Sequence, residues 1–348
     1  MTESGSLPKN SRKNKRRTVL VSALSAAIIA GAVFLLLWMP NSFAPSPAVV
    51  TVSRGESFGQ VVDAFAAAGV VNHPLFFKVA GRLFGYAGKI KIGKYSFQSG
   101  VSNHAMLYAI STGTSTANPE VTIFEGLRGA QIARILKREV GVDSLKLCAL
   151  FQDTSLIHLR NSGASSLEGF LLPETYEFYW QVDEKEIVRE MLSEFRKFFT
   201  DTLQRRAKEM HMTIDQVLTM ASIVEGESVL DRERPIIAGL YYNRLRRHMK
   251  LEADPTIQFI IPDGPRRLLF EDLRIDSPYN TYENYGLPPG PINNPGRKSI
   301  LAALYPDRNN FLYFVADGLG GHRFARTYEE HLRNVRAYRR ARAAARRP

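Results

Sequence analysis

Thr213-Ile-Asp-Gln-Val-Leu-Thr-Met-Ala-Ser-Ile-Val-Glu-Gly-Glu-Ser228 reads as a helix that carries its own start signal. Thr213 is a capping residue, Asp215 places negative charge in the first turn, and Ile214, Val217, Leu218, Ala221 and Val224 recur at helical spacing. Glu225 follows Ala221 by four residues and Leu218 by seven, so it leaves the helix on the stripe those residues bury. Carboxylates seldom occupy an apolar stripe. Such surroundings disfavour the charged form of a carboxylic acid, which is what a general acid near neutral pH requires. Glu227 points roughly 200° away around the helix and is not a same-face partner. The helix alone leaves two readings open: a catalytic acid, or a helix-end residue facing solvent.

Working outward, Ile187–Met210 has the pattern of one long amphipathic helix leading into this stretch. Glu233–Met249 follows as a helix with an apolar face at Ile236, Ile237, Leu240 and Leu245, its basic side chains forming a solvated face. Leu251–Gln258 reads as a loop, with Asp254-Pro255 as a turn or a substrate contact. Asp276–Ser299 is irregular, with five prolines and three glycines. Its tyrosines, Leu287 and Ile292 argue for a rigid loop lining a cleft rather than for disorder. Helix Ser299–Leu304, strand Phe311–Ala316 and a glycine-rich hairpin toward Phe324 complete this half. Those glycines lack the strand–helix context of a dinucleotide fingerprint. Upstream lie a strand entering a turn (Val121–Gly126), a helix (Ala130–Val140) and an apolar segment punctuated by Gly and Pro (Ser166–Phe178).

The N-terminal third differs. Thr18–Met39 is 22 residues without a charge, long enough to cross a bilayer core of roughly 30 Å. The preceding basic cluster predicts a cytoplasmic N-terminus and an outward-facing body. The competing reading is a cleaved signal peptide, whose apolar region is shorter and ends in a small-x-small site; an uncleaved anchor fits better. A Pro/Ser linker (40–48) leads to a β-α-α-β pattern: strand Val49–Val52, helices Phe58–Ala68 and His73–Phe84, strand Gly93–Phe97, and a further helix Ala105–Ser111. The pattern is similar to a LysM-type module, a fold that elsewhere holds N-acetyl sugars; a plain spacer fits it equally.

Charge and composition remove several function classes. Residues 1–17 hold six basic side chains against one acid, and residues 332–348 hold seven arginines and no acid. The whole chain is +12, so the body between these tails is neutral and lacks the basic surface of a nucleic-acid binder. The C-terminal arginines suit anionic lipid or wall polymer, or a loosely ordered end. One cysteine, Cys148, supports neither a disulfide framework nor a thiolate metal site. The sequence has no HExxH pair, phosphate loop or nucleophile elbow. No cofactor or metal is expected, and carboxylate chemistry remains.

Four blocks then resemble one family in content and order: Met-Ala-Ser-Ile-Val-Glu-Gly-Glu-Ser, Leu-Glu-Ala-Asp-Pro-Thr-Ile-Gln, Ser-Pro-Tyr-Asn-Thr-Tyr with Gly-Leu-Pro-Pro-Gly-Pro-Ile-Asn-Asn-Pro-Gly, and Tyr-Phe-Val-Ala-Asp-Gly-Leu-Gly-Gly-His-Arg-Phe. The family is the endolytic murein transglycosylases, or YceG-like proteins. The likeness runs from the anchor to about Val335. It implies an α+β protein: a cytoplasmic N-terminus (1–17), a single transmembrane helix (18–39), a linker (40–48), a LysM-like module (49–117), a periplasmic catalytic domain (118–335) and a basic tail (336–348). It implies cleavage of nascent peptidoglycan between N-acetylmuramic acid and N-acetylglucosamine with a 1,6-anhydro end, at the inner membrane beside cell-wall synthases. The family's catalytic Glu maps to Glu225. One departure is Gly226, where members often carry Lys, a change expected to loosen the helix end. Candidate substrate contacts on the matching blocks are Asp254, Thr256, Gln258, Tyr279, Asn280, Thr281 and Tyr282; Glu168 is left as structural. The alternative from another class is a catalytically silent wall-binding scaffold, and a hydrolase is the second.

Overall fold

The Glu225 helix spans Ile214–Glu227, and a reciprocal capping box starts it: Gln216 N–H donates to Thr213 Oγ1 (3.2 Å), and Thr213 N–H to Gln216 Oε1 (2.9 Å). A computed structural model describes residues 9–114, 120–157, 159, 162–262 and 264–344. The helix is buried on all sides, not along one stripe: from Ile214 to Val224 only Gln216 is outside the buried set. Two hydroxyls survive inside because the helix's own carbonyls take them: Thr219 Oγ1 donates to Asp215 O and Ser222 Oγ to Thr219 O, both at 2.8 Å. Ser222 Oγ also accepts from Ile292 N–H (3.0 Å), fixing the proline-rich segment to the helix. Helices Arg297–Leu304 and Arg234–Arg246 pack on it.

The chain divides into two compact units. The first, Met1–Pro119 with Tyr179–Gln181, contains one helix long and apolar enough to cross a membrane, Arg17–Trp38. It also contains the expected β-α-α-β order, with Ala48–Val52 antiparallel to Gly93–Phe97 and helices Phe58–Ala67 and Pro74–Leu83 between them. Helix Asn103–Thr112 closes a core around Val61, Phe65, Phe77, Tyr95, Met106 and Ile110. The expected boundary at 117/118, part of the basic N-terminus and the last four tail residues fall outside the described residues.

The second unit, Glu120–Phe178 with Val182–Pro348, is mostly helical with two small antiparallel pairs, Glu120–Thr122 with Thr175–Glu177 and Tyr313–Ala316 with His322–Ala325. Mixed α+β is therefore the class. Three sequence expectations need correction. The expected 40–48 linker begins with a short strand, Pro40–Asn41, antiparallel to Val101–Ser102, with Asn41 buried, and its last residue opens strand Ala48–Val52. The helix expected over Ile187–Met210 is two, Glu184–Phe198 and Asp201–Glu209, because Thr200 is extended and starts the second. The loop expected over Leu251–Gln258 contains a helix, Asp254–Ile260, in which Pro255 occupies a first-turn position where its missing N–H costs nothing.

Asn294 joins three non-helical segments of this architecture. Fully buried, its Oδ1 accepts from Gly169 N–H (2.8 Å) and Leu171 N–H (3.1 Å), and its Nδ2 donates to Leu127 O (3.0 Å) and Glu168 Oε1 (2.6 Å). Asn294→Ala is expected to cost roughly 2–4 kcal/mol, because each orphaned buried group costs about 1–3 kcal/mol. Denaturant unfolding of wild type and variant measures it.

Candidate active site

Glu225 sits at the C-terminal end of its helix, its side chain only 7% exposed. Two donors hold it: Arg234 Nη1 at 2.9 Å on Oε1 and the Gly296 N–H at 2.9 Å on Oε2. The surround is thus not simply apolar, as the stripe suggested; a guanidinium and a backbone amide meet the carboxylate. The Gly296 contact brings in the proline-rich segment, and the Glu125 side chain lies over its Cα: a Cβ there would come 1.8 Å from Glu125 Oε1 and displace that side chain. Buried Arg234 also donates to Ser299 Oγ (2.5 Å) and Asp231 Oδ1 (3.1 Å) and lies 3.8 Å from Glu125 Oε2. Burial and the neighbouring Glu225 charge push the Glu125 carboxyl up, while Arg234 and Lys298 oppose them.

Beside this cluster opens a cleft of about 520 Å³. Gly126, where an added Cβ would lie 3.7 Å from Glu225 Cγ, lines it together with Arg128, Glu227, Asp254, Gln258 and Asn293. Arg128 donates to the carbonyls of Gln258 (2.6 Å) and Phe259 (3.1 Å), capping the end of helix Asp254–Ile260 and so fixing that wall. Asn293 is buried and its Nδ2 donates to Ser222 O (3.0 Å), while its Oδ1 has no hydrogen-bond partner among the described residues.

Glu227 has separate partners, as its helix position requires: Tyr241 Oη donates to its Oε1 at 2.9 Å. Burial pushes its carboxyl up to about 7, with the Asp254 charge adding to the rise and the Tyr241 bond opposing it. Tyr282 Oη donates to Asp254 Oδ1 (2.5 Å), and both carboxylates line the cleft. Gly226 lies between the two glutamates with its Cα against Pro255, where a Cβ would come within 2.6 Å of Pro255 Cβ. The glycine does not loosen the helix, which continues to Glu227; it lets Pro255 close in.

The sequence-derived contacts separate into two groups. Asp254 and Gln258 reach the cleft, and Tyr282 lines an adjoining hollow of about 290 Å³ with Glu227 and Asp254. Asn280, Thr256 and Thr281 are corrected to bracing residues, since none is more than 1% exposed. Asn280 Nδ2 holds the carbonyls of Leu273 and Ile275, and the Thr256 and Thr281 hydroxyls bond each other at 2.9 Å. Tyr279 packs its ring on Phe259, centroids 4.8 Å apart. Glu125, Arg234 and Asn293 were missed. One signal was available: the chain's three Glu-Gly pairs, 125–126, 168–169 and 225–226, all converge around Asn294 and Gly296.

Glu168 receives the Gly129 N–H at the start of helix Gly129–Val140, yet burial pushes its carboxyl up to about 7. Burial likewise raises Asp215 to about 6. Each of Glu168, Glu227 and Asp215 binds its proton more tightly folded than unfolded, so each contributes stability at low pH that is lost as pH rises through about 6–7. Thermal melts of the detergent-solubilised chain are expected to show a lower Tm at pH 8 than at pH 5.5.

The fold and site define an α+β protein with a buried carboxylate–guanidinium pair beside a cleft. The chain belongs to the YceG-like family, which it matches over residues 50–337. It is 29% identical over 304 residues to a protein named endolytic murein transglycosylase from Bacillus subtilis (strain 168), covering 83% of this chain and 84% of that one. A protein of the same name from Streptococcus pneumoniae serotype 2 (strain D39) is 30% identical over 347 residues; the match covers 89% of this chain and 63% of the pneumococcal one. The crystal structure of a YceG-like protein from Listeria monocytogenes superposes with a TM-score of 0.60 at 28% identity, over 83% of this chain and 99% of that one.

Proposed function

We propose that this protein is an endolytic murein transglycosylase anchored in the inner membrane, that Glu225 is its proton-transfer group, and that it ends nascent glycan strands beside cell-wall synthases. The observation that carries the reading is the buried Glu225 side chain, held by Arg234 and Gly296 N–H and followed directly by Gly226 and Glu227, which line a cleft of about 520 Å³. A glycosidic oxygen leaves poorly unless protonated. In its protonated form Glu225 gives a proton to that oxygen as the bond to C1 of the muramic sugar breaks. The sugar's own 6-hydroxyl oxygen closes on C1 and returns its proton to Glu225, so no water is consumed. Arg234 faces the carboxylate that exists between the two transfers and stabilises it. In this reading Asp254 and Gln258, which line the cleft, bind sugar hydroxyls. The β-α-α-β module is read as a LysM-like glycan holder and the Arg17–Trp38 helix as the anchor, with the module and catalytic unit outside the cytoplasm.

A hydrolase is the second reading, because Glu227 and Asp254 line the same cleft and one of them suffices to activate water. Product masses from purified glycan strands separate the two. Anhydro ends support the proposal, and products heavier by one water, about 18 Da, support the hydrolase.

A further inference from the structure

Glu225 is met by a second carboxylate that the proton transfers above do not use. Strand Glu120–Thr122 runs on through buried Ile123 to Glu125, and Gly126 turns the chain there at φ 78°. The turn is clamped to the proline-rich segment from both sides: Gly126 N–H donates to Asn294 O and Asn294 N–H to Leu127 O, each at 2.9 Å. Glu125 is thereby laid over Gly296, with its Oε2 3.8 Å from Arg234 Nη2. The same glycine and the same guanidinium hold Glu225, through Gly296 N–H on Oε2 and Arg234 Nη1 on Oε1, both at 2.9 Å. The two carboxylates are therefore bridged twice. They differ in exposure, 45% for the Glu125 side chain against 7% for Glu225.

The charges of this cluster do not balance. Arg234 and Lys298 are the cations facing Glu125, and Glu225 and Asp231 are the anions. Lys298 Nζ pairs with Asp231 Oδ2, and hydrogen bonds from Lys298 and Arg234 hold the Asp231 carboxyl below its usual range. Arg234 is left to serve Glu225 and Glu125, one cation between two carboxylates. Two like charges on one cation hold a proton more tightly than either would beside that cation alone, and the proton belongs to the pair. A buried acid paired only with a guanidinium favours its ionised form and has nothing to donate. With Glu125 beside it, Arg234 keeps an anionic partner whenever Glu225 carries the proton.

We infer that Glu125 is a positioning residue of the reaction: it engages Arg234 while Glu225 is neutral, and so keeps the proton donor loaded. The inference rests on the proton-transfer role proposed for Glu225. Glu125 gives no proton to the glycan; it acts through Arg234.

The test is the pH profile of glycan cleavage by the detergent-solubilised full chain, with kcat and KM measured separately. Glu125→Gln removes the second negative charge and is expected to lower the alkaline limb of kcat/KM by about one pH unit, the low end for an adjacent charge because Glu125 is half-exposed. Above that limb the rate falls roughly tenfold with little change in KM, and at acidic pH it returns to the wild-type value. Glu125→Asp keeps the charge and is expected to restore most of the shift. Lys298→Met leaves Asp231 without its cation, adds net negative charge beside the pair and is expected to move the limb upward. An unshifted limb in folded Glu125→Gln, or a loss uniform across pH, overturns the inference. If Glu125→Gln does not fold, Lys298→Met decides, and an unshifted or lowered limb overturns it. Absence of glycan cleavage by the wild type is a failure of the proposed function instead. The same question is then put to the Glu225 carboxyl by infrared titration, its band assigned by its loss in Glu225→Gln. The protonated band is expected to vanish about one pH unit lower in Glu125→Gln than in wild type, and an unchanged midpoint overturns the inference.

Discussion

Glu225→Gln is expected to lower glycan-cleaving turnover by roughly 10²–10⁴, the range general acid–base catalysis supplies. Glutamine keeps the shape, and its amide oxygen still accepts a hydrogen bond, but it has no proton to give to a leaving oxygen. The loss is expected in turnover more than in substrate affinity, because the removed step belongs to the transition state. Glu125, Glu227 and Asp254 are not expected to restore the rate: Glu125 lies 3.8 Å from Arg234, and the other two accept tyrosine hydroxyls of their own. Matching circular dichroism of wild type and variant makes the comparison clean. A variant retaining more than about a tenth of the wild-type rate is outside that range and contradicts the role.

Arg234→Met is expected to produce the largest stability loss. The Arg234 and Glu225 side chains are each 7% exposed, and Arg234 also serves Asp231 and Ser299. Removing one partner of a buried pair strands the other charge, at a cost of about 3–5 kcal/mol. For a unit of this size that lowers Tm by on the order of 10 °C. The pairing itself is tested by a cycle. In the double variant Glu225→Gln/Arg234→Met no charge is stranded, so its loss is expected to fall short of the sum of the single losses by at least ~1 kcal/mol. Additive losses mean that the 2.9 Å contact contributes nothing of its own.

Legibility in the sequence followed the range of each signal. The Glu225 helix and its Thr213 cap are local, and the structure has them where the pattern places them. The β-α-α-β order was equally legible, because Gly55, Gly69 and the alternation of Gly93–Phe97 are short-range marks. The break at Thr200 was not, since amphipathic spacing continues across it and only the turn distinguishes two helices from one. Helix Asp254–Ile260 was hidden because a proline reads equally as a turn or as a helix start.

The site was legible only in part, because its decisive contacts join distant segments. Arg234 appeared on a helix whose basic residues read as a solvated face, yet it turns inward to meet a carboxylate nine residues away. Gly296 contributes a backbone N–H, which no side-chain pattern announces. Asn280 and Thr281 look like sugar contacts by residue type, but turns in a proline-rich segment consume the same polar groups, and here the turns take them.

The most direct measurement is cleavage of nascent glycan in heavy-oxygen water, with the new chain ends weighed by mass spectrometry for wild type and Glu225→Gln. Wild type is predicted to yield anhydro ends that carry no heavy oxygen, and the variant almost no new ends. Heavy oxygen in the wild-type ends, or undiminished anhydro ends from the folded variant, would contradict proton transfer by Glu225 to a bond broken from within the sugar.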